Sequence, residues 1–278
     1  MSTIKLLGTG CPSPSSSRFG PSTLFVHDEK NYLFDCGSGV TQRLNAAGVK
    51  SSDIEILFIT HLHSDHVMDM YQLYISGWHQ GRDKKFKIIG PKGTKEFFYN
   101  LLNAFDEELQ GRIKWEQRPN NKGLEFEVIE IDTSFKFKHF DLEVNPFEVD
   151  HYPVEPAFGY QIKFLDTGQE KKVVISGDTR KSENLIEHSL DADALVHEVF
   201  VSLEFDEKRM SKETILNVSD YHTSPKEIGE IANIAKVKKL ILTHFVPPIF
   251  DENELIANIA ESYNGQIIIG EDLMSIEI

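Results

Sequence analysis

"ITHLHSDHVMDM" occupies residues 59–70 and places four metal-ligating side chains within six positions, namely His61, His63, Asp65 and His66. They follow an apolar run typical of a buried strand, where polar and ionisable groups are costly unless something binds them. Residues i and i+2 share one face of an extended segment, so His61 and His63 can converge on one point. Asp65 and His66 come after the strand and can present a second point. The spacing predicts two neighbouring metal sites, in preference to a polar loop with incidental histidines.

Other predicted strand ends supply further candidate ligands. His151 lies in "EVDHYPVEPAFGY", Asp178 ends the apolar strand of "VVISGDTR", and His244 ends that of "LILTHF". A carboxylate has two oxygens, which suits Asp178 to bridge two cations. The segments "AAGVKSSDIEILFITH" and "EIANIAKVKKLILTH" both place a helix-like stretch before an apolar strand that ends in Thr-His. This repeat indicates either two similar half-structures with a histidine at a strand end, or a chance match of two short α/β units.

Composition limits the class of protein. The chain has 278 residues, 40% of them hydrophobic, which is enough for a large core. No apolar run approaches the roughly 20 residues that cross a bilayer. The two cysteines imply no disulfide framework. We therefore expect a cytoplasmic protein that does not bind a membrane.

The charge balance disfavours nucleic acid as a partner. Lys and Arg number 29 against 44 Asp and Glu, which gives a net charge of −15. A protein that binds a nucleic-acid backbone needs cations to displace the counterions of the phosphates. The most basic stretch, residues 82–87, is expected to be a solvated loop.

The order of the predicted elements favours a mixed α/β sandwich over an all-parallel sheet. Strand-like runs come first along the chain and later alternate with helix-like stretches. The predicted helices lie around Val40–Ala47, Thr94–Ala104, Ser224–Ala235 and Glu252–Ser262. No long linker or low-complexity block divides the chain, so we expect residues 1–278 to form a single domain.

Three of the motifs, "THLHSDH", "SGDTR" and "LILTHF", resemble in their order those of the metallo-β-lactamase-fold hydrolases. The segments "LLGTGCPSPSSSRFGPST", "EPAFGYQI", "LVHEVF" and "HTSPKEIGEIANIAKV" are similar to the ribonuclease Z-like branch of that superfamily. The likeness extends from Leu6 to Phe245. It implies a four-layer αβ/βα sandwich, in which two mixed sheets lie face to face, helices lie outside and the metals lie at one edge. Relatives are often homodimers, which makes a homodimer an expectation here too.

The resemblance also implies seven ligands for two ions: three histidines for the first, an aspartate and two histidines for the second, and a bridging aspartate. These are His61, His63 and His151, then Asp65, His66 and His244, and finally Asp178. Zinc is the usual ion in this branch and suits nitrogen and oxygen ligands. Mn²⁺ or Fe²⁺ would accept the same set.

Two divalent ions this close together lower the pKa of bound water, so that a metal-bound hydroxide forms at neutral pH. This indicates the hydrolysis of an ester. His222, in "DYHTSPKE", is the candidate general acid for the leaving group, because histidine titrates near neutral pH. The resemblance favours Glu198 over the adjacent His197 as the residue that orients it. The expected catalytic residues are therefore Asp65, His222 and Glu198.

The segment "YISGWHQGR" follows the first metal motif and could overhang the site. Trp78, His79 and Arg82 are therefore candidate substrate-binding residues, and Arg82 would pair with an anionic oxygen. The alternative is an ordinary surface loop or a dimer contact.

The preferred hypothesis is a dinuclear metal hydrolase of a small anionic ester, either a phosphodiester or a sulfate ester. "RFGPS" and "LYISGW" look more like the arylsulfatase-like members of the branch. The alternative is a ribonuclease Z-type endonuclease that trims tRNA 3′ ends. That enzyme normally carries a long tRNA-binding arm before the "GDTR" motif. This chain has only "QIKFLDTGQEKKVVIS" there, a predicted hairpin with "DTGQ" as its turn.

Two further hypotheses rank lower. A lactone or carboxyl ester is the next substrate class, because the same hydroxide attacks a carbonyl carbon. A non-enzymatic binding scaffold is disfavoured, because such proteins typically lack ligands that are all present in this chain.

Overall fold

Two mixed β-sheets pack face to face in the computed structural model, which describes residues 2–201 and 210–278. Over these residues each sheet has seven strands. In chain order the strands are β1 (Thr3–Gly8), β2 (Ser22–His27), β3 (Lys30–Phe34), β4 (Ile54–Phe58), β5 (Phe86–Gly90), β6 (Phe126–Glu130), β7 (Phe137–His139), β8 (Leu142–Glu148), β9 (Phe158–Asp166), β10 (Gln169–Ile175), β11 (Ala194–Phe200), β12 (Lys239–Val246), β13 (Gln266–Ile269) and β14 (Ser275–Glu277).

Helices cover the outer face of each sheet. Over the described part of the chain they are α1 (Val40–Ala46), α2 (Ser64–Val67), α3 (Met70–His79), α4 (Thr94–Ala104), α5 (Asp106–Glu116), α6 (Glu183–Ser189), α7 (Lys212–Asp220), α8 (Pro225–Ile234) and α9 (Glu252–Ala260). Two 3₁₀ turns lie at Ser51–Asp53 and Lys122–Leu124. The layers confirm the predicted α/β sandwich.

Both sheets combine antiparallel and parallel pairing. The first has the order β14-β1-β2-β3-β4-β5-β6, and its strands from β3 to β6 are parallel. The second has the order β13-β12-β11-β10-β9-β8-β7, and its strands from β10 to β13 are parallel. This is the repeat that the sequence indicated, because a Thr-His pair follows β4 and another lies in β12. The carboxyl ends of parallel strands are where such sheets build sites.

The core between the sheets is aromatic and aliphatic. Phe34 and Phe58 of the first sheet stack with ring centroids 4.8 Å apart, and Tyr160 of the second meets Phe34 edge-on at 5.4 Å. The three rings are almost completely buried. Removing such surface from water contributes about 25 cal/mol per Å². This packing fixes one sheet against the other and hence the strand ends at the site.

The four helices expected from the sequence are present, with ends that differ by a few residues. The pattern did not predict α2, α3, α5, α6 or α7, nor the short strand β14. Helix α3 is buried on several faces, which removes the one-sided apolar periodicity on which a helix prediction rests. Helix α5 is mostly charged, with Leu109 as its one buried residue, so it has almost no apolar face.

The predicted hairpin before the "GDTR" motif is confirmed. β9 and β10 are antiparallel, with Asp166 opposite Gln169. Thr167 and Gly168 between them have φ angles of 50° and 81°. Two successive positive φ angles are typical of the type I′ turn, whose twist matches that of the flanking strands.

The structure bears on two expectations drawn from composition, those about membrane spans and about cysteines. Within the described residues, every helix is too short or too polar to pass through a bilayer. Cys11 and Cys36 are both free thiols and both buried. Burial raises the pKa of Cys11 to about 11, so this thiol is inert at neutral pH.

Candidate metal centre

The seven predicted ligands meet at one edge of the sandwich. They lie at or just after strand ends: His61 and His63 after β4, Asp65 and His66 on α2, His151 after β8, Asp178 after β10, and His244 near the end of β12. Five of the seven are at most 2% exposed, while His63 and Asp65 are partly exposed. The centre is therefore buried but open on one side.

The side chains form two groups, each compact enough for one ion. Within each group the candidate ligand atoms lie within 4.8 Å of one another. The first group is His61, His63, His151 and Asp178, and the second is Asp65, His66 and His244. These are the two sets that the family resemblance implied.

One oxygen of Asp178 lies between the two groups. Its Oδ2 is 3.3 Å from Nε2 of both His66 and His244. The same atom is 3.8 Å from Nε2 of His61 and 3.9 Å from Nε2 of His151. Asp178 therefore stands where a carboxylate could bridge two cations.

Hydrogen bonds behind the centre orient the imidazoles. Nδ1 of His66 lies 2.8 Å from Oδ2 of Asp35, and Nδ1 of His151 lies 2.9 Å from the carbonyl oxygen of Tyr221. Because these oxygens accept, each Nδ1 donates and each Nε2 keeps its lone pair for the centre. Such outer contacts fix the tautomer of metal-binding histidines.

Asp35 is a central residue that the sequence interpretation missed. It is buried, has a φ of 61°, and accepts from the backbone N–H and the hydroxyl of Thr60, each at 2.9 Å. The Thr60 hydroxyl in turn lies 3.0 Å from Nδ1 of His61 and must accept from it, since its own proton goes to Asp35. The feature of the sequence that could have indicated this residue is its position in "LFDCGSG", a carboxylate directly after the buried strand β3.

The residues fit divalent cations. Nε2 of His61 and of His66 are buried and lack a hydrogen-bond partner in the described residues. Burial lowers the pKa of His61, His63 and His151, which keeps these imidazoles neutral and available as ligands at neutral pH. Nitrogen and carboxylate oxygen are suitable ligands for zinc and for related first-row ions.

The bridging carboxylate stays charged despite its burial. Burial acts to raise the pKa of Asp178, but the neighbouring His244 and His66 outweigh it and hold the pKa well below its ordinary value. A cation at the centre would meet a charged oxygen ligand.

His222 and Glu198 form a buried pair beside the ligands. Nδ1 of His222 lies 3.1 Å from Oε1 of Glu198, at an angle that falls short of a hydrogen bond. Backbone N–H groups of Thr179 and Thr223 donate to the same oxygen at 3.2 and 3.1 Å. The His222 ring centroid is 5.4 Å from that of His151. The pair therefore lies next to the metal groups, and a ring nitrogen of His222 comes within 4.8 Å of ligand atoms of Asp178 and His244.

Local backbone structure supports this placement. Ser224 and Glu227 form a capping box at the start of α8, with Pro225 in its first turn. His197, the competing candidate, donates from Nδ1 to the carbonyl oxygen of Glu198 at 2.6 Å and belongs to neither metal group.

A β-bulge directs His244 to the centre. The pairing of β11 with β12 shifts at Glu198, which lies opposite both Thr243 and His244. His244 has a φ of 45°, uncommon for a residue other than glycine. Bulges of this kind re-aim side chains next to sites.

The predicted substrate-binding residues lie in the helical layer of the first sheet. Arg82 is 3% exposed, and its Nη2 donates to the carbonyls of Tyr74 at 2.6 Å and Gly123 at 2.8 Å. Trp78 is a buried residue of α3, and the exposed His79 lies against it. This corrects the expected substrate contact for Arg82 and Trp78, because burial and contacts within the fold occupy both side chains.

Two cavities open beside the centre. One of about 320 Å³ is lined by Asp65, Met68 and the serine-rich loop around residues 11–20. The other, of about 710 Å³, is lined by His222, Arg180 and the start of α8. Both volumes are in the range of small-molecule sites.

Known proteins share this sequence and fold. Residues 2–245 match the family model of the anti-Pycsar protein Apyc1. A ribonuclease Z of Mycobacterium sp. (strain KMS) is 34% identical over 284 residues, which cover 100% of this chain and 96% of that protein. The metallo-β-lactamase fold protein YhfI of Bacillus subtilis has a TM-score of 0.75 at 19% identity, over 99% of this chain and 98% of that one. The short form of human tRNase Z has a TM-score of 0.71 at 22% identity, over 99% of both chains. The chain therefore belongs to the anti-Pycsar protein Apyc1 family and is a metal-dependent hydrolase of the metallo-β-lactamase fold.

Proposed function

We propose that this protein hydrolyses a small phosphodiester at a centre that holds two divalent ions, with zinc as the first candidate. The observation that carries the proposal is the position of Asp178 Oδ2, within 3.9 Å of four histidine nitrogens from both groups. His61, His63 and His151 would hold one ion. Asp65, His66 and His244 would hold the other.

Two divalent ions at this place supply a water-derived nucleophile at neutral pH and neutralise charge on the phosphoryl oxygens. The leaving oxygen needs a proton, and His222 gives it from the ring nitrogen that faces away from Glu198. Glu198 would position the ring of His222 through their 3.1 Å ion-pair contact, and two backbone N–H groups fix the Oε1 that makes it. His222 is thus the catalytic acid and Glu198 a positioning residue.

The charges around the cavities support a substrate with a single negative charge. Arg18, Arg180 and Lys181 line the two cavities. Arg18 donates to the carbonyl of Gly270 and lies over the ring of Phe245, while the other two form ion pairs with carboxylates. A polyanion could bind these cations only by displacing the protein groups that now contact them. The single charge of one diester would be neutralised by the two metal ions.

A phosphodiester ranks above the other esters because the curated relatives are named ribonuclease, which implies cleavage of phosphodiester bonds. A sulfate ester follows, on the arylsulfatase-like segments "RFGPS" and "LYISGW". A lactone or carboxyl ester comes third.

Ribonuclease Z-type cleavage of tRNA is the second candidate, because a relative of that name aligns with the whole chain. The missing arm does not exclude it. The alignment has 284 positions for the 278 residues of this chain, which leaves room for only a few extra residues in the relative. The mycobacterial ribonuclease Z therefore has no long insertion relative to this chain. The net charge of −15 argues against it. In the most basic stretch Arg82 is buried and Lys84 pairs with Glu55 at 2.7 Å, which leaves few cations for phosphates.

The test is turnover of three chromogenic esters by protein loaded with Zn²⁺ or Mn²⁺ at neutral pH. Bis(p-nitrophenyl) phosphate should be hydrolysed faster than p-nitrophenyl sulfate and p-nitrophenyl acetate. The Asp178→Asn variant, which keeps the shape of the side chain and loses its charge, should be inactive on all three. Preference for the sulfate or the acetate would reassign the electrophile, and equal rates for wild type and Asp178→Asn would remove the proposed centre.

A further inference from the structure

A small cavity lies behind the metal centre, between the inner faces of the two sheets. Its volume is about 30 Å³, and its walls include Glu198, Thr243 and His244. A cavity of about 10–15 Å³ on this measure is enough to hold one water molecule, so this one has room for a water. The β-bulge brings these walls together, since Glu198 lies opposite both other residues.

Three polar atoms of these residues are buried and lack a hydrogen-bond partner in the described part of the chain. They are Oε2 of Glu198, Oγ1 of Thr243 and Nδ1 of His244. Glu198 is 1% exposed and His244 is 2% exposed. An unpaired buried polar group destabilises the folded state, so three of them beside one cavity indicate a common partner.

His244 is distinct among the four buried histidines of the centre. His61, His66 and His151 each use Nδ1 in a hydrogen bond with a protein oxygen. Nε2 of His244 faces the carboxylates of Asp65 and Asp178, at 3.2 and 3.3 Å. If Nε2 is a ligand, Nδ1 carries the proton and needs an acceptor.

We propose that Glu198, Thr243 and His244 hold one buried water molecule in this cavity. The water accepts from Nδ1 of His244 and donates to Oε2 of Glu198 and to Oγ1 of Thr243. Three hydrogen bonds are the usual number for a buried water. Thr243 is thereby a positioning residue for His244, and the water connects the partner of the catalytic acid to the second ligand group. The effect on metal binding rests on the proposed two-ion function.

The test compares Thr243→Val, which removes the hydroxyl at nearly constant shape, with Thr243→Ser, which keeps it. Metal affinity is measured by competition with a chromophoric chelator, and wild type and Thr243→Val are crystallised with and without Zn²⁺. Thr243→Val should lower the affinity for one of the two ions about 10- to 100-fold, which is the usual effect of removing a residue that orients a metal ligand. Thr243→Ser should bind both ions with wild-type affinity. Thr243→Ala provides a second variant without the hydroxyl if Thr243→Val does not fold.

Crystals of wild type should contain one water within hydrogen-bond distance of the three atoms, with or without metal, and those of Thr243→Val should not. Equal affinities for Thr243→Val and Thr243→Ser, or a dry cavity in wild type, would overturn the proposal. Failure of wild type to bind two ions would instead contradict the proposed function, and the metal-free crystals would still decide the water site.

Discussion

Nδ1 of His66 donates a 2.8 Å hydrogen bond to Oδ2 of Asp35, and this buried contact determines which ring nitrogen faces the metal centre. The same carboxylate orders His61 through the hydroxyl of Thr60. One residue outside both ligand groups therefore orients a histidine in each of them.

Replacing Asp35 by Asn should weaken metal binding. The variant loses the charge that holds Nδ1–H of His66, so we expect affinity for at least one ion to fall about 10- to 100-fold. Chelator competition measures this. Asp106→Asn, an exposed change in the first turn of α5, is the matched control and should bind both ions as wild type does. Wild-type affinity in Asp35→Asn would show that the outer contact does not matter.

Replacing His222 by Ala should separate catalysis from metal binding. We expect kcat for a phosphodiester to fall about 10²- to 10⁴-fold, the usual contribution of a positioned general acid. The metal content should stay at the wild-type value, because the seven ligands are intact. The control is Lys95→Ala, an exposed change on α4, which should leave kcat and KM unchanged. Loss of metal from His222→Ala would mean that His222 is a ligand and not the acid.

Replacing Arg82 by Met should lower stability and leave substrate binding unchanged. Arg82 remains charged at neutral pH although burial lowers its pKa to about 10. Without its guanidinium the carbonyl of Gly123 loses its donor, at a cost of about 1–3 kcal/mol, and the carbonyl of Tyr74 loses its second donor beside the helical one. Urea unfolding and a KM measurement on one phosphodiester distinguish the two roles. A raised KM at unchanged stability would restore Arg82 as a substrate-binding residue.

Removing the metal should lower the melting temperature. Ions that bind the native state at 100 times their Kd stabilise it by about 2.7 kcal/mol each. For a chain of this size that corresponds to a loss of about 5 °C or more on chelation. Calorimetry with EDTA, followed by excess Zn²⁺, measures the loss and its recovery. The His61→Ala variant should respond much less, and an equal response in this variant would place the stabilising ion elsewhere.

Several of the candidate ligands could be predicted from local rules, and the family resemblance supplied the full set of seven. His61 and His63 follow from the two-residue period of a strand, and Asp178 from a carboxylate at a strand end. Asp35 also follows a buried strand, but its role could not be predicted, because that role depends on Thr60 and His66, which join it only in the folded sheet.

The role of Arg82 also could not be predicted from the sequence. A cation in a loop usually faces water, but the structure buries this one against Gly77, where a Cβ would lie 2.2 Å from its Nη1. Its acceptor Gly123 is 41 residues away in sequence. A single sequence gives no sign of such a tertiary contact, whereas it does give the periodicity that located the centre.

The substrate class is the central claim, and one assay tests it most directly. Metal-loaded protein is given a precursor tRNA at low salt and, in parallel, bis(p-nitrophenyl) phosphate, with Asp178→Asn as the inactive control. The account predicts hydrolysis of the small diester while the tRNA stays intact. Accurate trimming of the tRNA 3′ end by wild type, absent in Asp178→Asn, would contradict it and assign the protein as a ribonuclease Z.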